Sequence, residues 1–389
     1  MNKLGIYVQV PFCQTKCTYC NFHTGVVSSG RFSPYVEAVC QEIRGYRELY
    51  RVAGVALPAG FEKAGVDTVY FGGGTPSLLE ARLLQGMMEA IRETFAADFC
   101  EVTLEADPET VESGKAAAWV KAGVSRVSFG VQSFSDTELM AAGRMHRRAD
   151  IYRAAVILQD AGIRNISFDL IAGLPHQTTA SWRESLEELG RLSPQHVSVY
   201  LLEVDEGSRL GRELLAGGVR YSAAAVPSDD QMADFYETAC MFLGAAGYHH
   251  YEISNWAKPG FESRHNLKYW RRTAYLGFGA GAHSFSETER WANAHDAAVY
   301  VGAVQAGRLP VEQLEPVTRK SALEEELFLG LRQLDGIDVR HIEREYGVAL
   351  GTRLQALESA GLLERHGDVV RLAPGKVSIS NEVFVELMR

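Results

Sequence analysis

The sequence predicts an α/β fold, a partial (β/α)6 barrel followed by a C-terminal winged-helix-like α+β domain. Three observations carry the prediction. Six short runs rich in β-branched and aromatic residues alternate with amphipathic stretches over residues 1–240. Polar or glycine residues recur at the C-terminal end of these runs, the edge at which barrels gather their active sites. Beyond about residue 316 the pattern changes to three helices and two short strands.

Taken in order, the first run is 4–12 (LGIYVQVPF), and Cys13, Cys17 and Cys20 follow it at once. The later runs are 67–71 (DTVYF), 99–104 (FCEVTL), 125–131 (SRVSFGV), 165–171 (NISFDLI) and 196–202 (HVSVYLL). Helical stretches at 35–50, 78–95, 109–121, 148–161 and 179–191 lie between them, two of them closed by Gly123 and Gly162. Sequential right-handed winding of such units curls a parallel sheet towards a barrel. The Gly/Ala-rich segment 51–66 reads as a surface insertion, and 228–247 as a further helix opened by Ser228-Asp229-Asp230. Residues 241–315 form an irregular, aromatic and glycine-rich connecting region. The last part, 316–389, holds helices at 321–333, 338–346 and 352–360 and strands around Gly367 and Gly375. It has no dense basic helix, so packing or covering of a substrate is favoured over DNA binding.

Bulk properties exclude several classes. A formal charge of −10 over 389 residues argues against a general nucleic-acid binder. No apolar run approaches the roughly 20 residues of a membrane span. The apolar stretch before Cys13 is short and contains Gln9, which is not the pattern of a secretory leader. Six cysteines in so long a chain make no disulfide framework. Cys40, Cys100 and Cys240 fall in apolar settings and read as small core residues, while the clustered three imply a cytoplasmic, reducing location.

The CxxxCxxC triplet supplies three thiolates where an iron–sulfur cube takes four ligands, which leaves one iron open. A zinc knuckle completed by His23, or idle thiols, are the alternatives. An open iron calls for a bidentate ligand such as an α-amino acid. The run Gly72-Gly73-Gly74-Thr75-Pro76 would let backbone groups approach it closely, because no Cβ intervenes. Arg144 could fork onto its carboxylate. Glu105, Gln132 and Asp169, at successive strand ends with Glu203 beyond them, could accept from an amine and from hydroxyls. Tyr19 could flank an aromatic base.

At these residues the resemblance is specific. The CxxxCxYC loop, GGGTP, LEADP, GVQSF and FDLIAGLP resemble the radical S-adenosylmethionine (SAM) superfamily over essentially the whole chain. More narrowly they resemble the group holding oxygen-independent coproporphyrinogen III dehydrogenases and heme chaperones. The resemblance implies a 4Fe–4S cluster on Cys13, Cys17 and Cys20 whose open iron chelates SAM, cleaved by one electron to methionine and a 5′-deoxyadenosyl radical. It implies SAM contacts from Gly73, Gly74, Thr75, Glu105, Gln132, Arg144 and Asp169, with Tyr7 and Tyr19 near the cluster.

Within that group the dehydrogenase carries a further cysteine two positions after the last ligand and a long segment ahead of the cluster. Here that position is Phe22, and Cys13 lies near the start of the sequence. Both point to the heme-chaperone branch, as does RHNLKYW (264–270), which fits that branch's HNxxYW motif. The implied activity is binding of heme and its delivery to respiratory acceptor proteins, with membrane docking and dimerisation as further family expectations. Radical decarboxylation of coproporphyrinogen III is the alternative. His265, with Tyr269 and Trp270, could supply an axial ligand and an aromatic slot for heme, or be a hydrogen-bonded core histidine beside packing aromatics. His249, His250 and His283 are rival ligands. Asp107 stands where this family more often has Asn, a change not expected to matter because Glu105 is kept. The stretch GFGAGA (277–282) reads as a close-packing turn rather than a phosphate loop.

Overall fold

The computed structural model describes residues 3–55 and 65–388. In chain order the barrel segment comprises β1 (Leu4–Val10), β2 (Phe12–Cys13), β3 (Gly25–Val26), α1 (Phe32–Ala53), β4 (Val66–Gly73), α2 (Ala81–Thr94) and β5 (Ala97–Ala106). It continues through α3 (Ser113–Ala122), β6 (Arg126–Gln132), α4 (Asp136–Ala141), α5 (Arg148–Asp160), β7 (Asn165–Ala172), α6 (Thr179–Leu192), β8 (His196–Leu201), α7 (Arg209–Leu215) and α8 (Asp229–Ala245). The strands β1, β4, β5, β6, β7 and β8 lie side by side in that order, all parallel. Gly123 closes α3 at φ 106°, a conformation open to glycine without a Cβ penalty. Ser228 opens α8 by accepting from the Gln231 amide. Of the insertion read at 51–66, residues 51–53 continue α1, and 56–64 lie outside the described residues.

The period of two along each strand sorts its residues. Ile6, Val8, Val69, Phe71, Leu104, Val127, Phe129, Phe168, Leu170 and Val197 are buried against the helices. The other face of the same strands carries Tyr7, Tyr70, Glu105, Arg126, Ser128, Gln132, Asp169 and Ser198. A parallel sheet buried on both faces is ordinarily apolar on both. The polar inner face here is the wall of a cavity.

The region read as irregular is where the pattern misled, because it builds both edges of the sheet. It forms β9 (His249–Glu252), β10 (Asn255–Ala257), α9 (Arg264–Trp270), β11 (Tyr275–Phe278), β12 (His283–Phe285), β13 (Glu289–Asn293), α10 (Ala297–Gln305) and β14 (Val311–Pro316). On one edge β11 adds a seventh parallel strand beside β1, and β12, β13 and β14 follow antiparallel. On the other, β10 and β9 extend β8 antiparallel. These strands are only three to six residues long, too short to display a periodicity.

The GFGAGA stretch packs closely. A Cβ on Gly277 would lie 2.1 Å from the His283 carbonyl oxygen, and one on Gly279 2.6 Å from that of Gln9. Its amides are consumed internally: Gly279 N–H donates to the Glu42 carboxylate at 2.9 Å and Ala280 N–H to the Tyr35 hydroxyl at 2.9 Å. Glu42, on α1, also accepts from Asn293 at 2.8 Å and Tyr300 at 2.6 Å. Burial pushes its carboxyl up to about 7, against 4.5 ordinarily. A carboxyl raised in this way favours the folded chain in its protonated form. Its contribution is therefore complete below about 4.5 and lost as the pH rises through about 7. Urea midpoints measured from about pH 5 to about pH 8 should fall more steeply for the wild type than for Glu42→Gln, by up to roughly 3 kcal/mol in unfolding free energy. Parallel profiles would remove Glu42 from the account.

The remaining elements are α11 (Arg319–Arg332), β15 (Ile337–Asp338), α12 (Val339–Tyr346), α13 (Gly351–Ser359), β16 (Leu363–His366), β17 (Val369–Leu372) and α14 (Ser380–Met388). They surround a separate apolar core that includes Leu331, Leu354, Val370 and Phe384. Two features were not read from the sequence. The sheet has a third strand, ordered β15-β17-β16, and the chain closes with a helix.

Candidate functional site

Thirteen residues at strand ends and in the following loops meet in one cavity of about 720 Å³ at the C-terminal edge of the parallel strands. Cys13, Cys17, Tyr19 and Cys20 line it from the loop after β1, and Gly73, Gly74 and Thr75 from the end of β4. Glu105 and Asp107 follow β5, Gln132 ends β6, Arg144 comes after α4, Asp169 lies on β7 and Glu203 after β8.

The cysteine loop is pinned to its neighbours. Thr18 N–H donates to the Ala142 carbonyl at 3.0 Å, Leu210 N–H donates to the Thr18 carbonyl at 2.8 Å, and the Arg209 guanidinium holds the Lys16 carbonyl. Burial raises the Cys13 and Cys20 thiols, so a metal that binds their thiolates must displace protons. Among the described residues no three His, Cys, Asp or Glu side chains converge on a point for a single metal ion. His23, the fourth ligand of the zinc alternative, lies against His295 with ring centroids 4.2 Å apart.

Backbone hydrogen bonds weld this loop to the glycine edge. Gly74 N–H donates to the Val10 carbonyl at 2.8 Å, and Thr75 N–H to the Phe12 carbonyl at 2.7 Å. A Cβ on Gly74 would stand 2.5 Å from the Phe12 carbonyl oxygen and 2.9 Å from its nitrogen. Backbone cannot yield there as a flexible side chain would. Gly74→Ala is expected to push β2 and Cys13 away from β4 and to lower iron incorporation severalfold, measured as iron per chain after anaerobic reconstitution; full loading would show that the contact is dispensable.

The polar residues are held firmly. Glu105 accepts from Tyr70 at 2.8 Å and from Gly73 N–H at 2.9 Å, and burial pushes its carboxyl up to about 7. Asp169 accepts from Ser128 at 3.1 Å and Ser167 at 3.3 Å, and burial raises it too. Gln132 sits at φ 65°, left-handed for a residue with a Cβ, as happens where a site dictates the backbone. Arg144 pairs with Asp107, donates to the Gly130 carbonyl at 2.9 Å and reaches the Cys17 sulfur at 3.6 Å. Asp107 also accepts from Thr75 at 3.1 Å. The Asn-to-Asp departure dismissed in the sequence is thus the partner of the arginine, and the signal missed was charge complementarity between two strand-end loops.

Four of the candidate residues lie outside the cavity. Tyr7 sits behind its wall, donating at 2.6 Å to Gln9, which packs on Gly73. His265, Tyr269 and Trp270 belong to α9, which closes the opposite end of the barrel. The His265 ring is fully buried between Thr68 at 2.9 Å and Tyr269 at 2.8 Å, one partner on each ring nitrogen. Burial, with Lys268 and Arg126 nearby, lowers it to about 3. Both ring nitrogens thus have partners within the protein, which is the hydrogen-bonded core arrangement that the sequence offered beside the heme ligand. Among the rivals, His250 stacks on Trp256 at 4.0 Å and bonds the Ile253 carbonyl, while His249 and His283 are exposed. Cys100 is exposed as well, contrary to the core role read for it; Cys40 is buried.

Comparison with known proteins agrees with this architecture. The family model for the radical SAM superfamily matches residues 7–189, and that for the HemN C-terminal domain residues 317–374. The heme chaperone HemW of Bacillus subtilis is 33% identical over 384 residues, covering 97% of each chain. The heme chaperone HemW of Escherichia coli is 36% identical over 283 residues, 72% of this chain and 69% of that one. Coproporphyrinogen III oxidase (HemN) of E. coli, a radical SAM enzyme, superposes with a TM-score of 0.83 over 99% of this chain and 90% of its own, at 21% identity, a likeness of fold.

Proposed function

The chain belongs to the HemW family of the radical SAM superfamily, and on that premise we propose that it is a heme chaperone, which binds heme and passes it to respiratory acceptor proteins. The near full-length match to proteins named heme chaperones carries the reading. Phe22 supports it locally. Standing where the dehydrogenase has cysteine, it is 66% exposed at the cavity mouth and offers an apolar ring to a porphyrin face in place of a thiol.

We assign Cys13, Cys17 and Cys20 as the ligands of a 4Fe–4S cluster. The donor set fits in kind: three thiols from one pinned loop line the same cavity. Bound there, the cluster would supply an electron and one open coordination position. The chain's own residues would do the positioning. Gly73 and Gly74 leave the backbone bare for SAM, Thr75 and Gln132 offer hydrogen bonds, and Arg144 attracts its carboxylate. Glu105 and Asp169 would accept from its ammonium and ribose hydroxyls, Tyr19 would flank its base, and Tyr7 would steady Gln9 behind the glycine edge. No helix among the described residues is long and apolar enough to cross a membrane.

Reconstituted anaerobically, the protein should bind heme one to one and yield no protoporphyrinogen from coproporphyrinogen III, SAM and a reductant. Sustained turnover, or rescue of a strain lacking the dehydrogenase, would replace this reading with the enzymatic one.

A further inference from the structure

Arg126 opens β6 and shares the inward face of that strand with Ser128 and Gln132, so that all three line the cavity. It is 1% exposed. Its Nε and Nη1 are sealed from solvent and have no hydrogen-bond partner. The two other arginines of the cavity are each neutralised, Arg144 by Asp107 and Arg332 by Glu252 at 2.6 Å. Asp169, the carboxylate that Arg126 stabilises electrostatically, is spent on Ser128, Ser167 and Ser198. The two histidines that feel its charge are lowered chiefly by burial, His196 then by Arg126 and His265 by Lys268 ahead of Arg126.

A buried guanidinium with unmet donors, and with the nearby Asp169 carboxylate hydrogen-bonded to serines rather than to it, is costly for a fold to hold. Ordered water can meet its hydrogen bonds but does not neutralise it. The same cavity is lined by the exposed Phe22 after the cysteine loop and by Arg126 and Asn266 at its deep end. An anionic group reaching that floor would find a dehydrated guanidinium, for which a carboxylate is the matching charge.

We propose that Arg126 anchors a carboxylate of the bound cargo, one of the propionates of heme, at the floor of the barrel. The inference rests on the chaperone reading and adds to it the end of the porphyrin that is recognised. Heme would enter propionate first, and its apolar edge would remain near Phe22.

Titrations with iron protoporphyrin IX and with its dimethyl ester test this. Wild type should bind the free acid at least about tenfold more tightly than the ester, the effect of one charge-assisted hydrogen bond. Arg126→Gln should lose that preference while binding the ester as wild type does, and Arg126→Lys should keep part of it. The absorbance of the reconstituted cluster reports whether each variant is folded, and the wild-type comparison needs no variant. Equal affinity of wild type for acid and ester, or an undiminished preference in Arg126→Gln, would overturn the anchor and leave the chaperone reading intact. Failure of wild type to bind either porphyrin would overturn both.

Discussion

Alanine in place of Cys17 should abolish the absorbance at about 400 nm that thiolate-to-iron charge transfer gives the reconstituted protein. Of the three clustered thiols, Cys17 is the one that Arg144 also touches, at 3.6 Å. Its removal leaves a cube two protein ligands, too few to hold it against loss of iron. The fold itself should survive, because the loop's anchors beside Cys17 do not use its side chain: Thr18 bonds Ala142 and Leu210 through the main chain, and Arg209 holds the Lys16 carbonyl. Far-ultraviolet circular dichroism should therefore match wild type while bound iron falls to background. An unchanged spectrum would end the cluster assignment, and with it the premise on which the nearby SAM contacts are proposed.

Arg144→Met should produce the second large effect, on stability as well as on binding. The Arg144 side chain is 9% exposed and its partner Asp107 22%. Removing one member of a buried pair strands the other, at a cost of about 3 kcal/mol towards the lower end for such pairs. The Gly130 carbonyl loses its donor as well. Equilibrium denaturation should show the loss, and SAM affinity should drop tenfold or more, because the cation proposed to attract the ligand carboxylate is gone. Asp107→Asn separates the two effects. It retains an acceptor for Thr75, removes the competing carboxylate from Arg144, and should weaken the fold less than Arg144→Met while leaving SAM binding no weaker than wild type. Equal losses from both variants would mean that Arg144 serves the fold alone.

The parallel strands were legible because each combines β-branched residues with a boundary of glycine or polar side chains, and because an error of a residue or two at their ends moves none of them out of the sheet. The strand-end residues were legible for the same reason: a shared position in successive units places Glu105, Gln132 and Asp169 on one rim. Three things were hidden. The edge strands β9 to β14 take their shape from partners far away in sequence, as β11 does from β1. Arg126 was not singled out within the run 125–131, although its parity with Ser128 and Gln132 already aimed it inward. His265 was drawn towards heme by its aromatic neighbours. What the sequence could not show is its enclosure, with Thr68 on one ring nitrogen and Tyr269 on the other.

The bonds from Gly74 to Val10 and from Thr75 to Phe12 have one more consequence. They make the strand that presents Cys13 and the edge proposed to receive SAM a single mechanical piece. Two ligands seated on such a piece, and meeting at one open iron as proposed, would bind in a coupled way. Whatever factor the iron–sulfur cube contributes to retention of the nucleoside, the nucleoside returns to retention of the cube. A cell short of iron would then find this protein relinquishing SAM as well, and a cell rich in SAM would find it slower to shed iron.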